Sequence, residues 1–68
     1  MEREDYIERI IKPVAYAGRS YLENQGKSQG TALVDQDDTT FMVFVKGDGL
    51  VFVRDENDLK REIFEMKI

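Results

Sequence analysis

The sequence predicts an α+β domain, in which an N-terminal helix packs on a three- to four-stranded antiparallel sheet followed by a C-terminal helix or fourth strand. Three observations carry that expectation. Apolar residues recur at helical spacing from Ile7 to Leu22. A polar stretch bounded by Gly26 and Gly30 then separates them from runs rich in Val and Phe. Two such runs, Phe41–Val45 and Leu50–Val53, flank Lys46-Gly47-Asp48-Gly49. That is a hairpin signal, because Asp-Gly supplies the positive φ angles of a tight turn.

The helix is expected over about residues 2–25. Ile7, Ile11, Val14, Gly18 and Tyr21 with Leu22 form its inner stripe, and Arg9, Lys12, Arg19 and Glu23 lie off it. This phase places Tyr21 in the core and Tyr16 outside. Glu2, Glu4 and Asp5 suit the positive end of the helix dipole, and Gly26 suits the C-cap. Pro13 interrupts the pattern, since its ring collides with the carbonyl four residues back and it has no N–H to donate. Either one helix kinks there, or a second helix begins with Pro13 in its first position. The stripe passes through Pro13 in phase, which favours the kink.

Residues 26–30 form a loop, and strands are expected at about 31–35, 40–46 and 50–54. With a two-residue turn, Phe41, Val43, Val45, Leu50 and Phe52 share one face and Met42, Phe44, Val51 and Val53 the other. A three-residue turn exchanges the faces of the second strand. Either way both faces are apolar, whereas a sheet with one wet face alternates. The tail, about 58–67, fits two patterns. As a helix it is capped by Asn57 or Asp58, turns Leu59, Ile63, Phe64 and Met66 inward and pairs Arg61 with Glu65. As a strand it lines one face with Phe64, Met66 and Ile68. The helix is preferred here, because it would cover the second face of the hairpin.

The chain is a single domain of 68 residues with no Cys, His or Trp. Apolar burial for this size is worth about 100 kcal/mol, and ordering the chain costs on the order of 100 kcal/mol. A second subunit is one way for so small a domain to gain area, so a homodimer through the hairpin is expected. Disulfides and zinc are unavailable to it. Nucleophilic mechanisms built on Ser-His or Cys-His lack their base or thiol, and no enzyme activity is expected. An acidic start unlike a signal peptide, and no apolar run longer than Phe41–Val45, predict a cytoplasmic chain without a membrane span.

Charge is lopsided. Residues 1–34 are neutral, whereas residues 35–68 hold nine acids and five bases and carry the whole net charge of −4. Asp35-Gln36-Asp37-Asp38 fails as a calcium loop, with Thr39, Thr40 and Lys46 where the fifth, sixth and twelfth positions need a ligand, Gly and Glu. A loop started at Asp55 fails likewise at Leu59 and Met66. Neither metal nor cofactor is expected. Lys46–Val53 overlays an RNA-recognition strand pattern but holds Asp48, Leu50 and Val53 at its three aromatic positions, so the stacking rings are missing.

The helix, three-stranded meander and C-terminal helix resemble small chaperone-like and phage-inhibitor proteins in architecture, with no residue motif behind the likeness. The function expected is a small, acidic, non-enzymatic protein-binding module: an adaptor, chaperone-like subunit or inhibitor. Its partners are a second copy of itself and an unidentified, basic protein. Its candidate interface residues are Phe41, Phe44, Phe52, Asp37 and Asp38. The alternative is an acidic mimic of nucleic acid that blocks a DNA- or RNA-binding protein. A weak binder of single strands comes third, disfavoured by the acidic balance.

Overall fold

The structure, a computed structural model, describes residues 2–57 and 62–68. One helix, α1, runs through Arg3–Tyr6, a π-helical turn at Ile7–Ile11 and Lys12–Asn24. Four strands follow: β1 (Gly30–Gln36), β2 (Thr39–Val45), β3 (Leu50–Asp55) and β4 (Ile63–Lys67). They form one antiparallel meander in the order β1-β2-β3-β4.

Pro13 neither splits the helix nor pushes Lys12 out of helical angles, for Lys12 keeps φ −61° and ψ −48°. The turn ahead of it widens instead. The Lys12 N–H donates to the Ile7 carbonyl five residues back, a π-type bond that lets the backbone reach Pro13 without a break. Helix α1 ends as expected at Gly26, whose φ is +74°. There the N–H of Gly26 donates to the Glu23 carbonyl and that of Lys27 to Leu22, both at 2.9 Å.

The inner stripe is Ile11, Val14, Ala15, Gly18 and Leu22, with Tyr6, Ile7 and Ile10 half-buried beside it. Tyr21, expected in the core, is 54% exposed, because Leu22 takes the last inward position. Gly18 marks the closest approach to the sheet: a Cβ there would lie 2.6 Å from a Val43 methyl. Only a residue without a side chain lets the helix lie this low over β2.

The β2–β3 turn has three residues. Lys46 and Leu50 close it, with the Lys46 N–H on the Leu50 carbonyl at 2.9 Å and Gly49 N–H on the Lys46 carbonyl at 3.1 Å. Gly49, at φ +91°, takes the left-handed position that such a loop requires. Val45 therefore pairs with Val51 and Val43 with Val53. The two-residue register, with Leu50 and Phe52 on the Val43 face, is thereby corrected. Phe41, Val43, Val45, Val51 and Val53 turn to the helix and, with Ala32, complete the core.

The preferred helical tail is corrected as well, because residues 63–67 form β4, paired with β3 from Leu50↔Lys67 to Arg54↔Ile63. Its Phe64, Met66 and Ile68 pack against the core, as the strand alternative requires. The start of α1 holds the strand in place. The Tyr6 and Phe64 rings lie 5.9 Å apart, and Arg3 sits 5.1 Å over Phe64 and 2.6 Å from the Glu62 carboxylate. Asn57, one of the two expected caps, instead donates its N–H to the Asp55 carboxylate at 2.9 Å. Asp58, Leu59, Lys60 and Arg61, and with them the other cap and the Arg61–Glu65 pair, lie outside the described residues.

Candidate functional site

Helix α1 covers one face of the sheet, and residues one step out of phase with the core build the other. Strand register arranges that outer face in four rows. Asp35 and Thr40 form the first, joined by Glu56 through its N–H bond to the Thr40 carbonyl at 3.0 Å. Leu33, Met42, Arg54 and Ile63 form the second. Thr31, Phe44, Phe52 and Glu65 form the third. Lys46, Leu50 and Lys67 form the fourth, at the hairpin end.

Five of the eight residues in the two middle rows are apolar, and three of those five are open. Leu33 is 62% exposed, Ile63 57% and Phe44 36%. A shallow depression of about 740 Å³ between Thr31, Phe44, Lys46 and Phe52 forms the hairpin end of this face.

Electrostatics divides the face by rows. Asp35 accepts from the Thr40 hydroxyl at 2.7 Å, while Asp37 and Asp38 stand just beyond it in the β1–β2 turn. At the opposite end the Lys46 ammonium lies 5.5 Å over the Phe52 ring, a favourable contact with the negative face of the aromatic. Between them, Arg54 Nε is buried and has no hydrogen-bond partner among the described residues. Away from this face, the Arg3 guanidinium is held above its ordinary pKa by its hydrogen bond to Glu62 and then by that carboxylate's charge. Lys12 is raised in the same way by Glu8, at 2.7 Å.

Of the residues that the sequence marks for an interface, Phe44 and Phe52 sit side by side here as a cross-strand pair. Asp37 and Asp38 lie off the acidic end. Phe41, 1% exposed, is a core residue beneath the helix. Sequence reasoning did not single out Leu33, placed by the two-residue β1–β2 turn, Arg54, placed by the three-residue β2–β3 turn, or Ile63, placed by β4.

The described residues include no buried polar or charged residue and no group of three or more His, Cys, Asp or Glu placed to hold a metal. No described helix is long and apolar enough to cross a membrane. Comparison with known proteins finds no matching family model, no matching curated relative and no matching solved structure.

Proposed function

We propose that this chain is a non-catalytic protein-binding module that works as a homodimer through the outer face of its sheet. One observation carries the reading: Leu33, Met42, Phe44, Phe52 and Ile63 form a contiguous apolar surface opposite the helix-covered face. An antiparallel sheet commonly leaves one face to water, but that face is then polar; a contiguous apolar one marks an interaction site. The absence of Cys suits a reducing compartment, so a cytoplasmic setting belongs to the same proposal.

Four strands at ~4.8 Å spacing and about six residues at ~3.3 Å each give a footprint of roughly 400 Å² per protomer. That is below the ~800 Å² per partner of standard complexes, and fits a dimer of micromolar affinity rather than an obligate one. Sedimentation equilibrium from 1 to about 500 μM tests this, bracketing the affinity expected for a small interface. The expected result is a shift from 7.9 kDa toward twice that mass. It should vanish in Phe44→Asp while the fold remains. A 7.9 kDa species throughout, with Phe44→Asp indistinguishable from it, refutes self-association.

The acidic-mimic reading draws on a different observation, the gathering of Asp35, Asp37, Asp38, Asp55 and Glu56 at one end of the sheet. It requires a basic protein partner whose affinity falls as salt rises and whose binding survives Phe44→Asp.

A further inference from the structure

We infer that the outer face is self-complementary and takes a second copy turned end for end, the Asp35–Glu56 end of each sheet lying over the Lys46–Lys67 end of the other. The inference rests on the self-association proposed above and adds its geometry. Two identical sheets stacked through these faces are related by a two-fold axis in the plane between them. That axis can run along the strands or across them, and the charges on the face separate the two cases.

With the axis along the strands, like ends meet: β1 lies over β4 and β2 over β3. Glu56 then lies one strand from Asp35 of the second copy, and Lys46 one strand from Lys67 of that copy, so both ends repel. With the axis across the strands, the first row lies over the fourth and the second over the third. Asp35 and Glu56 come level with Lys46 and Lys67 of the second copy. Packed sheets cross at about 30° or less, which displaces the ends by roughly one strand and preserves these levels.

Under the same operation the second row lies over the third strand by strand, so that Leu33 comes level with Thr31 and Ile63 with Glu65 of the second copy. Met42 comes level with Phe44 of the second copy, a thioether against a ring. Arg54 comes level with Phe52 of the second copy, with Glu65 of that copy one strand away. The guanidinium gains an aromatic face, with a carboxylate of the second copy in the neighbouring column. By symmetry each of these contacts occurs twice.

The same rows argue against a polyanion. Among the described residues of the outer face three bases, Lys46, Arg54 and Lys67, are matched by three acids, Asp35, Glu56 and Glu65. A nucleic-acid strand laid over Phe44 and Phe52 would meet those carboxylates, whereas a copy of the face itself presents the complementary order.

Charge reversal in the full chain tests the arrangement by sedimentation equilibrium. Lys46→Glu with Lys67→Glu makes both ends acidic, and Asp35→Lys with Glu56→Lys makes both ends basic. Each double variant should dimerise about tenfold or more weakly than the natural chain, through like charges now facing one another. The quadruple reversal should return to within about threefold, and an equimolar mixture of the two double variants should form a heterodimer. Near-ultraviolet circular dichroism confirms that each variant is folded. Double variants that dimerise as tightly as the natural chain overturn the end-for-end geometry while leaving self-association standing. A natural chain that stays monomeric overturns the underlying reading too. So does a monomer that binds oligo(dT) at low salt and loses it in Phe44→Asp.

Discussion

Replacing Gly18 with alanine measures how closely α1 lies on the sheet. In an exposed helix interior the change stabilises by about 1 kcal/mol, because alanine gives up less backbone freedom on folding. Here the new methyl would stand 2.6, 2.7 and 3.0 Å from three carbons of the Val43 side chain. Val43 is fully buried in a central strand and has nowhere to retreat. Overpacking of this kind costs about 1–3 kcal/mol, and with contacts this short the upper part of that range applies. The net expectation is a loss of about 1–2 kcal/mol, or roughly 5–15 °C in Tm for a domain of this size. Thermal and urea unfolding followed by circular dichroism give both numbers. Val43→Ala removes the obstacle and by itself costs about 2 kcal/mol through lost burial. In the double variant the two defects fill one another, so the losses should fall short of additivity by about 1 kcal/mol or more. A Gly18→Ala variant that is more stable than the natural chain would refute the close crossing, and with it the placement of α1 over β2.

Phe44→Asp and Phe52→Asp, both on the outer face, should behave alike and give folded monomers by sedimentation. Val51→Asp, on the helix side, should leave the chain unfolded by circular dichroism, since it puts a carboxylate into the core. The β1–β2 turn holds Asp37 and Asp38 at φ +51° and +62°, where Asn-Gly is better suited. Asp37→Asn with Asp38→Gly should therefore raise stability by about 1 kcal/mol in urea titration. Lys12, with its pKa raised by Glu8, should contribute fully at neutral and mildly alkaline pH, below the ordinary lysine value, and lose that contribution as pH rises through the raised one. The urea midpoint should accordingly show no Lys12-linked change between about pH 7 and 9. Melting curves with EDTA, calcium or magnesium should superimpose, and a calcium-dependent rise of several degrees would show that the acidic end binds metal.

Much of the architecture was legible because local chemistry and tertiary packing agree. Spaced Ile, Val and Leu residues before Gly26 specify a helix and its stop, and the Val- and Phe-rich runs specify strands whatever their partners. Register was less legible, since Lys46-Gly47-Asp48-Gly49-Leu50 admits a two- or a three-residue turn. The difference lies in whether Gly49 closes the loop in the left-handed region, and it decides that Phe52 joins Phe44 rather than Phe41. The tail was misjudged for another reason. Ile63, Phe64 and Met66 suit a helical face nearly as well as Phe64, Met66 and Ile68 suit a strand. What decides between them is distant in sequence: the open edge of β3, and Arg3 and Tyr6 waiting beside Phe64. The candidate surface inherits both ambiguities. Phe44 and Phe52 become neighbours only through the three-residue turn, and Ile63 joins their face only once β4 is paired.

The nearest-neighbour order of the strands also bears on how quickly the molecule can form. Every strand pairs with the one beside it in sequence, so no sheet contact requires a long loop to close first. The longer closure is that of α1 onto β2 and β3, where Val14 and Gly18 must wait for residues some thirty positions on. Hairpins form in about 1–10 μs, and chains dominated by local pairings fold within milliseconds. The expected rate-limiting encounter is the meeting of α1 with the β2–β3 hairpin. In stopped-flow refolding, Val43 and Val53 variants should slow folding, whereas changes at Phe64, on the last strand, should chiefly hasten unfolding.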